Sequence, residues 1–394
     1  MVYTVVKTRS PNETVRHQLV DSHGEVVTVV SGFLQHLSNG EYSPNTIRAY
    51  ANDLRHFFNF LESCDLDWNA FRPKHGIELL GYLRHVPVKA RGVRRASLAA
   101  VTVDDSGQPA LRLSVDSVAR ALAAVSSFYE YVIAVEQYAD AEHPLHKVPD
   151  VAAAQVSDRR RPMLGNACRQ RPLRRAIRVR RVHRLPRPAD RDKHIDPLLN
   201  CLKTRRDRAI YLLMVNGGLR PAEVLCLQLD DVAYGRRRVF VRNRAEDPHP
   251  RGARGKSRED RVVDLHDGLT LAAINDYVMS ERPTDTGSRW LFLVGGAGTR
   301  RAEPLGYDAV VRGFSRRCEQ LGIRQPWLTP HALRHSHATE MWDAGMREMT
   351  LQKRLGHRSP DSTRIYTRVT DEQVVKDYQA ALDTQLEADP RWTR

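Results

Sequence analysis

Three short stretches of this 394-residue sequence gather charged and titratable side chains: GGLRPAEVLCL at 217–227, TPHALRHSHAT at 329–339 and LGHRSPDSTRIYTR at 355–368. Arg220 follows Gly217-Gly218 and opens a segment whose Val224, Leu225 and Leu227 read as inward-facing helix positions. His331 and Arg334 are three apart, so on a helix they share a face and can converge on one ligand. His357 comes just after Leu355-Gly356, where glycine is suited to end a helix, and Tyr366 follows nine residues later. Arginine offers two parallel donors in a planar fork and stays charged at any working pH. A pair such as Arg220 and Arg334 therefore suits a clamp on a phosphodiester, stabilising the extra negative charge of a pentacoordinate transition state. Each residue alone has an ordinary explanation: a surface arginine, a solvated charged face, a helix-end histidine, a half-buried tyrosine. That all of these coincide in this order is what ordinary explanations fail to cover.

One further residue stands out by contrast. The chain has 53 arginines and 9 lysines, and between Lys203 and Lys353 the only lysine is Lys256, within HPRGARGKSREDRVVDL. Unlike an arginine, a lysine whose pKa is lowered by neighbouring cations can give up a proton.

The ordered set G-G-L-R-x-x-E, a lysine ahead of a strand, H-x-L-R-H, L-G-H and a tyrosine nine residues on resembles the tyrosine recombinase (phage integrase) family over residues 190–370. The resemblance implies that Tyr366 is the nucleophile, forming a 3′-phosphotyrosyl ester that stores the bond energy for resealing without ATP. A free tyrosine has a pKa of about 10, so only about one in a thousand is ionised at neutral pH; the resemblance assigns His331 as the base. Arg220 and Arg334 then hold the scissile phosphate, Lys256 protonates the departing 5′-oxygen, and His357 donates a hydrogen bond to the phosphate. Glu223 orients Arg220 or its loop, while His335 and His337 are expected in supporting or structural roles. No cofactor or metal is expected, because the site supplies its own cations and no carboxylate cluster suited to Mg²⁺ is apparent.

These residues need elements to position them. SPNTIRAYANDLRHFFNFLES starts with Ser43 as an N-cap and Pro44 at the first helical position, and spaces Ile47, Tyr50, Leu54, Phe57 and Leu61 helically. A second amphipathic helix runs from about Ser114 through Val118, Leu122, Val125, Phe128/Tyr129 and Val132, with weaker helices around 25–38 and 75–85. Residues 92–113 read as a loop. The expected fold is mainly α: an N-terminal helical core-binding domain at 1–142, a basic linker at 143–190, and a catalytic domain at 191–394. The last combines helices at 194–203, 205–216, 220–229, 268–281, 305–321, 330–345 and 347–356 with a small antiparallel sheet from RRRVFVRN and RVVDL. A polar helix at 370–387 could dock on a neighbour.

Charge and composition set the partner class. Lys and Arg total 62 against 47 Asp and Glu, a net charge of +15 that favours a polyanion. Arg159 to Arg187 holds twelve arginines and no acidic residue, and prolines punctuate it, so it reads as a tether. Arg169, Arg171, Arg174, Arg175, Arg178, Arg180 and Arg181 are its candidate DNA contacts, running along phosphates of a duplex that the family clamps between two domains. Five scattered cysteines, no signal-peptide core and no apolar run near the roughly 20 residues that span a bilayer lead us to expect a reduced, cytoplasmic protein with no membrane partner. The family implies double-stranded DNA as substrate, a tetramer in the synapse and possible accessory proteins. Two other readings share parts of this pattern, a type IB topoisomerase-like relaxing enzyme and a catalytically silent DNA-binding regulator.

Overall fold

The computed structural model describes residues 3–9, 15–88, 100–103, 109–138, 140, 142–145, 147–149, 173–175, 177, 179, 187–244, 247–255, 259–357, 363, 378–379 and 382. The chain divides into two compact units, 1–183 and 184–394.

In the first unit, helices α1 (Thr28–Asn39), α2 (Pro44–Ser63), α3 (His75–His85) and α4 (Val115–Ala134) follow the apolar spacing of the sequence. Ser43 caps α2 by accepting from the Thr46 N–H, and Ser114 caps α4 in the same way. Leu54, Phe57 and Leu61 of α2 meet Val118, Leu122, Val125 and Phe128 of α4 in one buried cluster; each such side chain contributes roughly 1.5–3 kcal/mol on burial. Arg120 fixes the pairing from the rim with a two-pronged bond to the buried Asp53 carboxylate, at 2.7 and 3.0 Å.

This unit is not all helical. Strands β1 (Thr4–Arg9) and β2 (Val15–Val20) pair antiparallel, as do β3 (Ala100–Val103) and β4 (Pro109–Arg112), inside the stretch expected as a loop. The expected tether also contributes a strand pair, β5 (Lys147–Pro149) with β6 (Leu173–Arg175). Beyond β6, Ile177 and Val179 pack on the first unit's core. In the sequence Ile177 and Val179 alternate with Arg178 and Arg180, an apolar pattern that the arginine count hides.

The second unit is built around α6 (Arg205–Val215), buried along Ala209 to Val215. It follows a wide helical turn at Arg191–Ile195 and the short α5 (Asp196–Asn200). Helices α8 (Leu269–Ser280) and α10 (Pro330–Asp343) pack against α6. The remaining elements are the short α7 (Pro221–Leu225), α9 (Tyr307–Gln320), α11 (Glu348–Leu355) and the antiparallel sheet β7 (Val232–Ala233), β8 (Arg238–Val241), β9 (Arg261–Asp264). Helix α7 ends earlier than the sequence pattern predicts because Asp231 takes over the Gln228 N–H at 2.8 Å and an Arg244 donor at 2.6 Å, turning the chain toward the sheet. The expected 370–387 helix lies outside the described residues except at 378–379 and 382. No helix among the described residues is long and apolar enough to cross a membrane.

Candidate active site

Four segments of the second unit meet at the C-terminal end of α11. A helix leaves its last carbonyls without intrahelical partners, and here arginines take them. Gly356 ends α11 in the left-handed conformation (φ 63°), and a Cβ at this position would sit 2.8 Å from Arg261 Nη1. Arg334 on α10 donates through Nη2 to the Leu355 carbonyl at 2.7 Å and through Nη1 to the Gly218 carbonyl at 2.6 Å. Arg220, at the N-cap of α7, donates to the carbonyls of Leu355 (3.4 Å) and Gly356 (3.3 Å). The two arginines of the sequence pattern are thus hung from adjacent carbonyls of one helix end. The L-G-H turn is what exposes those carbonyls.

Glu223 is the counter-charge. Its Oε1 accepts from Arg220 Nη1 at 2.6 Å and from Arg261 Nη1 at 3.1 Å, while Oε2 accepts from the Arg220 backbone N–H at 2.8 Å and from Arg261 Nη2 at 2.7 Å. Arg334 Nη1 lies 3.7 Å from Oε2, close enough for charge attraction but not for a hydrogen bond. Burial by itself would raise the Glu223 carboxyl, but bonds to and charge from Arg261, then Arg334 and Arg220, hold it down at about 2. Glu223, three residues after Arg220, thus bonds both the backbone N–H and the guanidinium of that arginine.

His357 Nε2 is 3.0 Å from Arg334 Nη2, and Nδ1 is 2.9 Å from Thr363 Oγ1. A guanidinium can only donate, so Nε2 accepts and Nδ1 carries the proton. Burial, then the charges of Arg334, Arg220 and Arg261, lower the His357 pKa to about 3. His337 has the same arrangement deeper in the unit: Nδ1 lies 2.9 Å from the Val215 carbonyl and Nε2 accepts from Arg354 Nε at 3.0 Å. Its ring presses on Gly218 (φ 65°), where any Cβ would collide with it, so this half of the Gly-Gly pair exists to admit a histidine. His331 occupies the first turn of α10, half-buried, one turn ahead of Arg334 and His335. Burial, then His331 and Arg334, lower the half-buried His335 to about 4.

Arg220, Glu223, Arg334 and His357 are therefore brought together, with His331 and His335 on the helix that carries Arg334. Lys256 and Tyr366 lie outside the described residues, as do Arg169, Arg171, Arg178, Arg180 and Arg181; Arg174 and Arg175 are in β6. The residues flanking the Lys256 segment are described: Gly255 and Glu259 line a small cavity together with Glu223 and Cys226. Sequence reading missed Arg261 and Arg354. Arg261 starts β9 and reads as a strand-end cation, and Arg354 in the last turn of α11 reads as an ordinary partner of the helix dipole.

The chain matches two family models, the phage integrase family over residues 191–373 and the phage integrase N-terminal SAM-like domain over residues 30–136. It is 25% identical to transposase A from transposon Tn554 of Staphylococcus aureus, over 93% of this chain and 94% of that protein. It is 28% identical to tyrosine recombinase XerC of Bifidobacterium longum, covering 89% of this chain and 96% of the relative. Among solved structures, the Tn1549 transposon integrase in complex with a circular intermediate DNA shares the fold with a TM-score of 0.56 at 14% identity, over 89% of this chain and 99% of that one. With an arginine-rich catalytic unit behind a helical N-terminal one, this chain belongs to the tyrosine recombinase (phage integrase) family.

Proposed function

We propose that this protein is a site-specific recombinase that cuts and rejoins double-stranded DNA through a tyrosyl ester, serving integration or transposition. The observation that carries the reading is the convergence of Arg220, Arg334 and His357 on the end of α11, with Tyr366 nine residues after His357 in the sequence. In the reaction, Tyr366 Oη attacks the scissile phosphorus and loses its proton to His331. The bond from phosphorus to the 5′-oxygen breaks, and Lys256 gives that oxygen a proton. The product is a 3′-phosphotyrosyl ester and a free 5′-hydroxyl, and rejoining reverses these steps with a new 5′-hydroxyl as nucleophile. Arg220 and Arg334 hold the non-bridging oxygens throughout. As the phosphate takes up the Arg334 donors, His357 Nε2 is released from accepting; with the ring proton moved from Nδ1 to Nε2 and Nδ1 then accepting from the Thr363 hydroxyl, the neutral ring donates to the same phosphate.

Two relatives of nearly the full length of this chain are a transposase and a recombinase, which supports strand exchange over simple relaxation of supercoils. The functional unit on DNA is a tetramer, two protomers on each duplex, with the arginine-rich 159–187 segment adding sequence-independent affinity. The test uses a DNA duplex nicked next to the cleavage point, so that the cut strand end diffuses away. Wild type should form a covalent adduct, also in EDTA, and Tyr366→Phe should form none. Equal adduct from Tyr366→Phe would overturn the assignment.

A further inference from the structure

Three guanidinium groups surround Glu223, and one of them, Arg261, belongs to no position of the sequence pattern. Its side chain is 7% exposed. Its fork spans both carboxylate oxygens, at 3.1 and 2.7 Å, while Nε donates to the Arg354 carbonyl at 3.1 Å. Arg261 thereby ties the start of β9, five residues after Lys256, to α7 and to the last turn of α11.

The geometry of the carboxylate shows what this does. A carboxylate between several arginines competes with any phosphate for their donors. Glu223 Oε2 is filled by Arg261 Nη2 and the Arg220 backbone N–H, and Arg334 Nη1 stays 3.7 Å away, bonded instead to the Gly218 carbonyl. We propose that Arg261 is a positioning residue for strand cleavage: by filling both Glu223 oxygens, it keeps the carboxylate, which already holds Arg220 Nη1, from also capturing the Arg334 donor that must face the scissile phosphate. Without its fork, the vacated Oε2 lies within a small side-chain movement of Arg334. The local balance of charge also falls, from three cations against one anion to two against one, where an anionic transition state needs the surplus.

This inference rests on the cleavage reaction proposed above. The experiment measures single-turnover adduct formation on the nicked duplex at saturating protein, with DNA affinity and thermal melting followed separately, for Arg261→Met, Arg261→Lys, Glu223→Gln and the Arg261→Met/Glu223→Gln double variant. Arg261→Met should slow cleavage on the order of a hundredfold, as expected when a catalytic group is misplaced by about an ångström, with DNA affinity near wild type. Arg261→Lys, which restores charge but not the fork, should fall between the two. The discriminating arm is the double variant. Neutralising Glu223 removes the competitor, so the double variant should cleave faster than Arg261→Met alone, a rescue that a merely structural loss would not give. A wild-type rate in Arg261→Met, or a double variant no faster than Arg261→Met, overturns the inference. If Arg261→Met melts below the assay temperature, Arg261→Lys with and without Glu223→Gln gives the same comparison. Failure of wild type itself to form adduct would count against the recombinase reading, not against Arg261 alone.

Discussion

At the scale of single residues, the site is a problem of too much positive charge in too little water. Glu223 is 2% exposed and Arg334 is 2% exposed, so the buried carboxylate depends on the surrounding guanidinium groups for its ionised state, and they on it for a counter-charge. Removing one partner of a buried ion pair costs about 3–5 kcal/mol because the other is left uncompensated. Glu223→Leu should therefore lower the unfolding free energy by about that amount, read in urea titrations, and a loss under about 1 kcal/mol, the level of an exposed pair, would contradict the buried clamp. The arginines themselves should not tolerate lysine, which has no fork. Arg220→Lys or Arg334→Lys is expected to reduce adduct formation by roughly 10²–10³-fold, the typical loss for one donor to a developing anion. Arg220, Arg334 and His357 stand out in the sequence because their types suit phosphate and their order resembles the family's pattern. Arg261 does not: in a chain with 53 arginines, one more at a strand start has no contrast. Lys256 was conspicuous for the opposite reason.

At the scale of elements, α10 carries His331, Arg334, His335, Ser336 and His337 within two turns. The folded chain holds His335 and His337 near pKa 4 and His357 near 3, chiefly by burial. Unfolding releases them to about 6.5. The unfolded state then binds more protons at any pH between these values, so stability is full above about pH 7 and declines as pH falls through about 6.5 toward 4. The melting temperature should drop from about pH 7 to about pH 5, and His337→Gln, which cannot titrate, should show a shallower drop; a flat profile for wild type would refute it. Long helices such as α2 and α4 could be located from their apolar spacing and serine caps. The short strands were harder to see, because β3–β4 and β5–β6 have only three or four residues per strand and gain their order from pairing with partners elsewhere along the chain.

At the scale of the whole molecule, charge is concentrated rather than spread. The 29 residues from Arg159 to Arg187 carry +12 of the net +15, and on the reading proposed above this connector supplies much of the nonspecific attraction to DNA. Replacing Arg169, Arg171, Arg174, Arg175, Arg178, Arg180 and Arg181 by serine should weaken binding to all DNA sequences alike and flatten the dependence of log affinity on log salt by about 0.9 for each phosphate no longer neutralised. A loss confined to one DNA sequence would speak against that role. The two-unit plan could be inferred from length and helical pattern, whereas the folding of Ile177 and Val179 onto the first unit depends on an apolar surface that sequence alone does not display.

Where that connector enters the second unit, Ala189 is bolted down: its N–H donates to Ser336 Oγ at 2.7 Å, and its carbonyl lies 2.7 Å from the same hydroxyl. Ser336 sits two residues beyond Arg334 and one before His337. The bolt ties the start of the second unit to α10 within one helical turn of Arg334, so the placement of that arginine depends on how the chain enters the unit. Ser336→Ala removes both bonds, and the expected outcome is a lower melting temperature together with slower adduct formation, whereas wild-type values for both would show that the bolt positions nothing.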